Sequence, residues 1–232
     1  MINRFILVFL TILLTTCLKA QYSISIEYGR AWYLFKIQDP ANGLSKGRYN
    51  YYPFAGLTVQ KTRKKNWDYD FGLYFTPYYH QFNTSQYAST TPETYASLQG
   101  GFAFCYAPKN KPRKFKVFPY AGLNVGYVFR NDLEYSRVFL DITTGSLTPI
   151  IEGTVNYTRI MAGVKTGVKL QYQLSKRIAI TANAEYLKGL FRIYKYDFLY
   201  NNGSGTNDTK GQLTASGDLL NLRGGLKIKL GN

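Results

Sequence analysis

Cysteine is almost missing from this chain: 232 residues contain two, Cys17 and Cys105, and the first sits in a leader-like stretch. A chain exported with one remaining cysteine is held together without an internal disulfide. Histidine occurs once, at His80, which argues against a zinc site, since zinc takes three or four protein ligands. Acid is scarce, with 13 Asp plus Glu against 29 Lys plus Arg. Beyond the leader no apolar run approaches the roughly 18 to 20 residues of a membrane helix. There is no phosphate-binding glycine loop and no cluster of metal-ligating residues.

What is present begins with an address. Met1 to Arg4 form a short basic start, Phe5 to Leu14 are almost entirely apolar, and Thr15 to Ala20 turn small and polar. That pattern predicts a secretory signal peptide over residues 1–20, cleaved after Ala20. Thr16 precedes Cys17 where lipid-attachment sites carry Gly, Ala or Ser, so Cys17 reads as part of the leader. Residues 21–232 read as one β domain. Subtracting Arg4 and Lys19 from the formal +16 leaves that domain at +14. An exported basic chain meets lipid head groups and lipopolysaccharide phosphates rather than nucleic acid.

From Gln21 onward the apolar period is two. Tyr22, Ile24, Ile26, Tyr28, Trp32 and Leu34 alternate with Ser23, Ser25, Glu27, Gly29 and Ala31, and Leu220, Leu222, Leu226, Ile228 and Leu230 alternate with Asn221, Arg223, Gly225, Lys227 and Lys229. Such alternation is the mark of a strand with one apolar face. Six more segments, near 49–60, 67–82, 95–107, 115–130, 157–174 and 177–194, bring the count to eight strands. Long polar links near 37–48, 83–94, 131–156 and 195–217 take turns with short ones at 61–66, 108–114 and 174–176. An up-and-down meander then collects every long loop at one end, as transmembrane barrels do.

The aromatic residues sort by height on the same face. Tyr22, Tyr69, Tyr106, Phe115 and Tyr172 fall near the short-turn end, and Trp32, Tyr51, Tyr79, Tyr127 and Tyr186 near the long-loop end. Two girdles around an aliphatic band match a lipid-facing wall with two interfaces. Arg30, outward but near the upper girdle, can snorkel to head-group phosphate. Pro53, Pro77 and Pro119 lie inside strand segments and are expected near rims or bulges. Apolar runs at Val138 to Ile142 and Pro149 to Val155 predict a hairpin projecting beyond the membrane.

With these strands, turns and girdles the chain resembles the small outer-membrane β-barrel proteins of Gram-negative bacteria, of the OmpA/OmpX type. The Ala20-Gln21 junction and tyrosine-rich strands are most similar to the porin-family barrels common in Bacteroidetes. The resemblance implies an all-β fold, an eight-stranded antiparallel up-and-down transmembrane barrel in the outer membrane, and carries no catalytic motif. The chain departs from it at Leu230-Gly231-Asn232, where many such barrels end in an aromatic residue.

On the polar face, acids and bases stand at matching heights: Glu27, Lys165, Glu185, Arg223 and Lys227 are the expected lumen network. Eight strands enclose only enough space for side chains, so these charges read as buried and paired rather than lining a pore. Head-group contacts are assigned to Arg30, Lys61, Arg63, Lys64 and Lys65, and a second basic run follows at Lys109, Lys111, Arg113 and Lys114. The loop tyrosines Tyr87, Tyr95, Tyr135 and Tyr200 are candidate surface contacts. The role read from all this is non-enzymatic, in membrane integrity, surface interaction or limited small-solute passage, by a monomer that needs no cofactor and binds no nucleic acid. Its partners would be outer-membrane lipid and lipopolysaccharide, an extracellular ligand on the loops, and a periplasmic partner on the basic turns. Three alternatives stand beside it. One is a lipid A-modifying hydrolase on His80 with Ser85, Ser89 and Glu93, one is an accessory barrel of a secretion or assembly complex, and one is a periplasmic lipocalin-like carrier with its apolar face inside. Alternation alone does not say which face points out.

Overall fold

A computed structural model of the chain describes residues 22–39, 44–46, 51–62, 66–80, 82–84, 93–106, 114–129, 135–140, 147–201 and 208–230. The signal-peptide segment, Tyr87, Arg63, Lys64 and Lys65 lie outside the described residues. Eight strands form the barrel: β1 (Tyr22–Gln38), β3 (Tyr51–Thr62), β4 (Trp67–His80), β6 (Glu93–Tyr106), β7 (Phe115–Phe129), β10 (Ile160–Gln173), β11 (Ile178–Gly189) and β13 (Asp208–Leu230). They pair antiparallel in that order, and β13 returns to β1 to close the wall. Five further strands lie in the long connections: β2 (Leu44–Lys46), β5 (Phe82–Thr84), β8 (Tyr135–Leu140), β9 (Leu147–Tyr157) and β12 (Tyr194–Asn201).

The pairing fixes the size of the barrel. Crossing partner by partner from Leu220 leads through Tyr186, Thr166, Ala121, Phe104, Tyr69, Lys61 and Tyr22 back to Leu230, a stagger of ten residues on the starting strand. At ~3.3 Å per residue and ~4.8 Å between strands, this stagger tilts the strands by about 40° and sets a backbone radius of about 8 Å. Inward side chains fill such a tube.

Which face points out is decided by burial. Ile26, Tyr28, Leu73, Phe71, Leu123, Val125, Ile180 and Leu226 are exposed, while Ser25, Glu27, Gln60, Asp70, Gln99, Lys165 and Arg223 are buried. The lipocalin-like alternative is therefore corrected: the apolar face is outside and the lumen is polar. The girdle positions follow the same parity, with Tyr106, Phe115 and Tyr172 exposed below and Tyr127 and Tyr186 above.

One expectation about the chain's course changes. The stretch near 195–217 is not a plain loop, because β12 and the first part of the 23-residue β13 occupy it. The link before β10 holds the antiparallel hairpin β8–β9 expected from the apolar runs at Val138 to Ile142 and Pro149 to Val155, and its β9 pairs with β12. A four-stranded sheet, β13-β12-β9-β8, thus continues the wall past the barrel. The join is a bulge: Leu34 pairs with Asp218 but Phe35 with Ala215, and Gly217 between them has φ 78°. A side chain is strained at that angle, and glycine is not. Asp218 holds the corner by accepting from the Gly189 backbone at 2.9 Å and from Lys188 at 2.6 Å. There β13 leaves β11 and takes up β12.

The prolines mark ladder ends rather than bulges. The β3–β4 ladder stops at Ala55 and Phe75, two positions short of the level at which Pro53 and Pro77, neither with an N–H to give, would face each other. Tyr33, buried in the lumen, donates to the Pro77 carbonyl at 2.5 Å. The β6–β7 ladder stops at Cys105 and Tyr120, one position short of Pro119.

Candidate functional site

Among the described residues the lumen contains four buried acids, Glu27, Asp68, Asp70 and Glu185, and four buried bases, Lys165, Lys169, Arg223 and Lys227. Equal numbers decide the character of the space, since an ion path selects by an excess of one sign. Parity puts them there: each stands on the polar side of a strand whose other side faces outward. An unpaired ion in this space would be costly, and each charge has partners.

Arg223 is the hub. Its Nε lies 2.8 Å from Glu27 Oε2 and its Nη2 3.0 Å from Glu185 Oε2. Tyr120 donates to Glu185 at 2.9 Å and Asn221 at 3.1 Å, while Lys165 stands 4.0 Å away. Asn183 donates to Glu27 at 3.4 Å. The guanidinium also lies over the rings of Tyr74 and Phe54, at 4.8 and 5.3 Å from their centroids, a cation–π arrangement. Room for Tyr74 comes from Gly56 and Gly72, where a Cβ would overlap its ring.

Lys227 does not join this hub. It donates to Gln60 and, at 2.9 Å, to Gln171, one level nearer the short turns, where Lys169 is paired with Asp70. Sequence reading did not assign Lys169, Asp70, Tyr120 or Asn221 to the charge network, although it set Tyr120 inside the barrel and Asn221 on the polar face of the last strand. The available signal was parity, because all four share the lumen side of segments already read as strands. Above the hub a neutral layer follows, in which Asn124 donates to Gln99 at 2.6 Å and Gln99 to Ser97 at 2.9 Å.

The top of the lumen is apolar. Ile193, in the connection between β11 and β12, is 2% exposed and packs with Phe35, Phe54, Met161, Leu187, Leu213 and Leu219. Its backbone is tied on both sides, to the Ala215 carbonyl and from the Thr158 amide, each at 2.9 Å. Periodicity gave no sign of this plug, which comes from a connection and not from a strand.

The remaining predicted residues are scattered. Arg30 is exposed on β1, and Lys61 lies over the Tyr22 ring, 5.4 Å from its centroid, at the foot of the barrel. Tyr95 and Tyr135 stand on β6 and β8, and Tyr200 on β12. The register sets His80 opposite Glu93, which is a strand residue and not a loop one, while Ser85 and Ser89 lie outside the described residues. Cys105 is a free, buried thiol. Among the described residues no group of acidic, cysteine or histidine side chains could hold a metal ion.

Charge divides between the two ends. The short connections 62–66, 107–114 and 174–177 carry nine Lys or Arg (Arg63, Lys64, Lys65, Lys109, Lys111, Arg113, Lys114, Lys176, Arg177) and no acid. The long ones, 39–50, 81–92, 130–159 and 190–207, carry seven bases and six acids. The positive excess of the domain therefore sits at the short-turn end.

No protein-family model matches this sequence, and no curated protein matches it. Solved structures do. The outer membrane protein OprG from Pseudomonas aeruginosa superposes with a TM-score of 0.57 at 14% identity, over 92% of this chain and 98% of that one. A major outer membrane protein from Thermus thermophilus gives 0.49 at 14% identity, over 90% and 98% of the two chains. Outer membrane protein W of E. coli gives 0.41 at 13% identity, over 91% and 99%. The first of these carries the comparison, and at such identity it speaks to fold. Closed eight-stranded wall, apolar exterior, ion-paired lumen and the OprG superposition agree: this chain has the fold of the small outer-membrane β-barrels, an architecture consistent with a place in the outer membrane.

Proposed function

We propose that this protein is a non-enzymatic barrel that works at the cell surface and supports the integrity of the outer membrane, with a lumen closed to solutes. The observation that carries the reading is the Ile193 plug above a charge-balanced lumen. Beside it, the 23 residues of β13 extend on the order of 75 Å, well beyond the ~25 Å apolar band of such barrels. A tilt of about 40° shortens that reach by about a quarter and leaves β8, β9 and β12 as a sheet outside the bilayer. The loop tyrosines Tyr135 and Tyr200 stand on that sheet, in a position suited to contact with an external ligand.

Planar-bilayer recordings of the purified barrel test the closed lumen. The expected trace is flat, and discrete conductance steps in the native protein would refute it. Cells lacking the gene, complemented with native protein or with a form whose residues 135–157 are replaced by a short Gly-Ser link, test the surface role. Both forms are expected to restore detergent resistance, and only the native form to restore adherence to host-cell or abiotic surfaces. Equal adherence by the two would remove the sheet from the reading.

A further inference from the structure

A cavity of about 690 Å³ lies outside the lumen, on the outward side of the wall at the short-turn end. One wall is aromatic and belongs to β4 and β6: Trp67, Tyr69, Phe104 and Tyr106. The rings brace each other, Trp67 against Tyr106 at 5.4 Å and Tyr69 against Phe104 at 5.2 Å between centroids. The floor is low, formed by Pro119 and Ala121 of β7. A tall aromatic ridge beside small residues makes a trough along the strands.

The β6–β7 ladder ends beside the trough. Val128 of β7 and Lys114, just before it, both bond toward β10, Val128 donating to the Arg159 carbonyl and Lys114 accepting from the Gln173 amide, each at 2.7 Å. Backbone bonding alternates sides along an antiparallel strand, so odd positions of β7, Pro119 among them, face β6. Proline has no N–H there to offer Tyr106, and the ladder ends at Cys105 and Tyr120. The ladder ends at the level of the lower aromatic girdle, one residue before β6 itself ends at Tyr106.

An apolar trough facing lipid takes an acyl chain, and its surroundings say which lipid. The turn joining these same two strands holds Lys109, Lys111, Arg113 and Lys114, and Lys116 follows at the foot of β7. Lys114 and Lys116 are exposed, and Lys116 stands three residues, or about 10 Å, below Pro119. A phosphate at head-group depth lies within reach of such side chains, which attract anionic lipid. We propose that the trough between β6 and β7 is a binding site for an anionic glycerophospholipid of the periplasmic leaflet, with one acyl chain on Pro119 and Ala121 and its phosphate against Lys114 and Lys116.

The chain's two tryptophans, Trp32 and Trp67, make the test optical. Trp32→Phe protein, reconstituted in phosphatidylcholine, is titrated with phosphatidylglycerol brominated on its acyl chains. Trp67 emission should quench along a saturating curve, reached at a several-fold lower mole fraction than with brominated phosphatidylcholine. Ala121→Phe raises the floor on an outward position that tolerates apolar bulk, and should return the curve to that of random lipid. Lys114→Gln with Lys116→Gln should remove most of that several-fold preference and bring the phosphatidylglycerol curve close to that of phosphatidylcholine. Identical curves for the two lipids overturn the site. So does a preference that survives Ala121→Phe, which would reduce it to general attraction by a basic turn. Heat-dependent gel mobility confirms that each variant is folded.

Discussion

Replacing Arg223 by methionine removes the cation that faces both Glu27 and Glu185. These carboxylates are 1% and 4% exposed, so water cannot take over from the guanidinium. Glu185 keeps Tyr120, Asn221 and a Lys165 ammonium at 4.0 Å, whereas Glu27 keeps the Asn183 amide at 3.4 Å as its described hydrogen bond. Breaking a buried pair by removing one partner costs about 3–5 kcal/mol, because the other charge stays buried. Against a total stability of about 5–15 kcal/mol, that is a large fraction. With a urea slope of about 2 kcal/mol per molar, the midpoint of unfolding should fall by about 2 M, read in detergent micelles by tryptophan emission and heat-dependent gel mobility. The quadruple variant Glu27→Gln, Glu185→Gln, Lys165→Met, Arg223→Met removes two charges of each sign, Lys165 being the other base beside Glu185. It should return to within about 1–2 kcal/mol of the native protein, since exchanging a buried ion group for neutral residues is often nearly neutral. A single variant within about 0.5 M of native, or a quadruple variant as weak as the single one, would refute the account of the lumen as a set of mutually dependent charges.

Tyr33→Phe removes the hydroxyl that donates to the Pro77 carbonyl at 2.5 Å, where the β3–β4 ladder has already ended. A loss of about 1 kcal/mol is expected, with faster amide exchange near Thr76 than elsewhere in β4, and uniform exchange along β4 would contradict it. In the projecting sheet, Asp197 is held below the usual carboxylate range chiefly by its hydrogen bond from Lys195, with Gln212 helping and burial opposing. A lowered carboxyl stabilises the fold above its unfolded value, about 3.9, and that contribution fades as pH falls through the still lower folded value. Since Asp197 is 42% exposed, the effect should stay under about 1 kcal/mol. Amide exchange in β12 should therefore quicken below about pH 4 in the native protein but not in Asp197→Asn, after correction for intrinsic rates. Equal acceleration in both would assign the effect to other groups.

The sequence by itself determined that the chain is a barrel of alternating strands, with short turns at one end and long links at the other. Period two in Tyr22 to Leu34 and Leu220 to Leu230 is a local property, set by side chains on opposite faces of an extended backbone. It also determined which charges share the lumen side, including Asp70 and Lys169, though nothing in it singled these out. Tertiary structure decided which charges meet. Pairing across the lumen depends on the ten-residue stagger of a closed wall, so Arg223 reaches Glu27 and Glu185 while Lys227 falls to Gln60 and Gln171. It decided the inside-out question, because alternation is symmetric until burial picks a face. The Ile193 plug and the trough at Pro119 also belong to it. The first needs a connection to fold back over the lumen, and the second needs the aromatic rings of β4 and β6 to stand beside Pro119 and Ala121 of β7, so both are relations between separate segments.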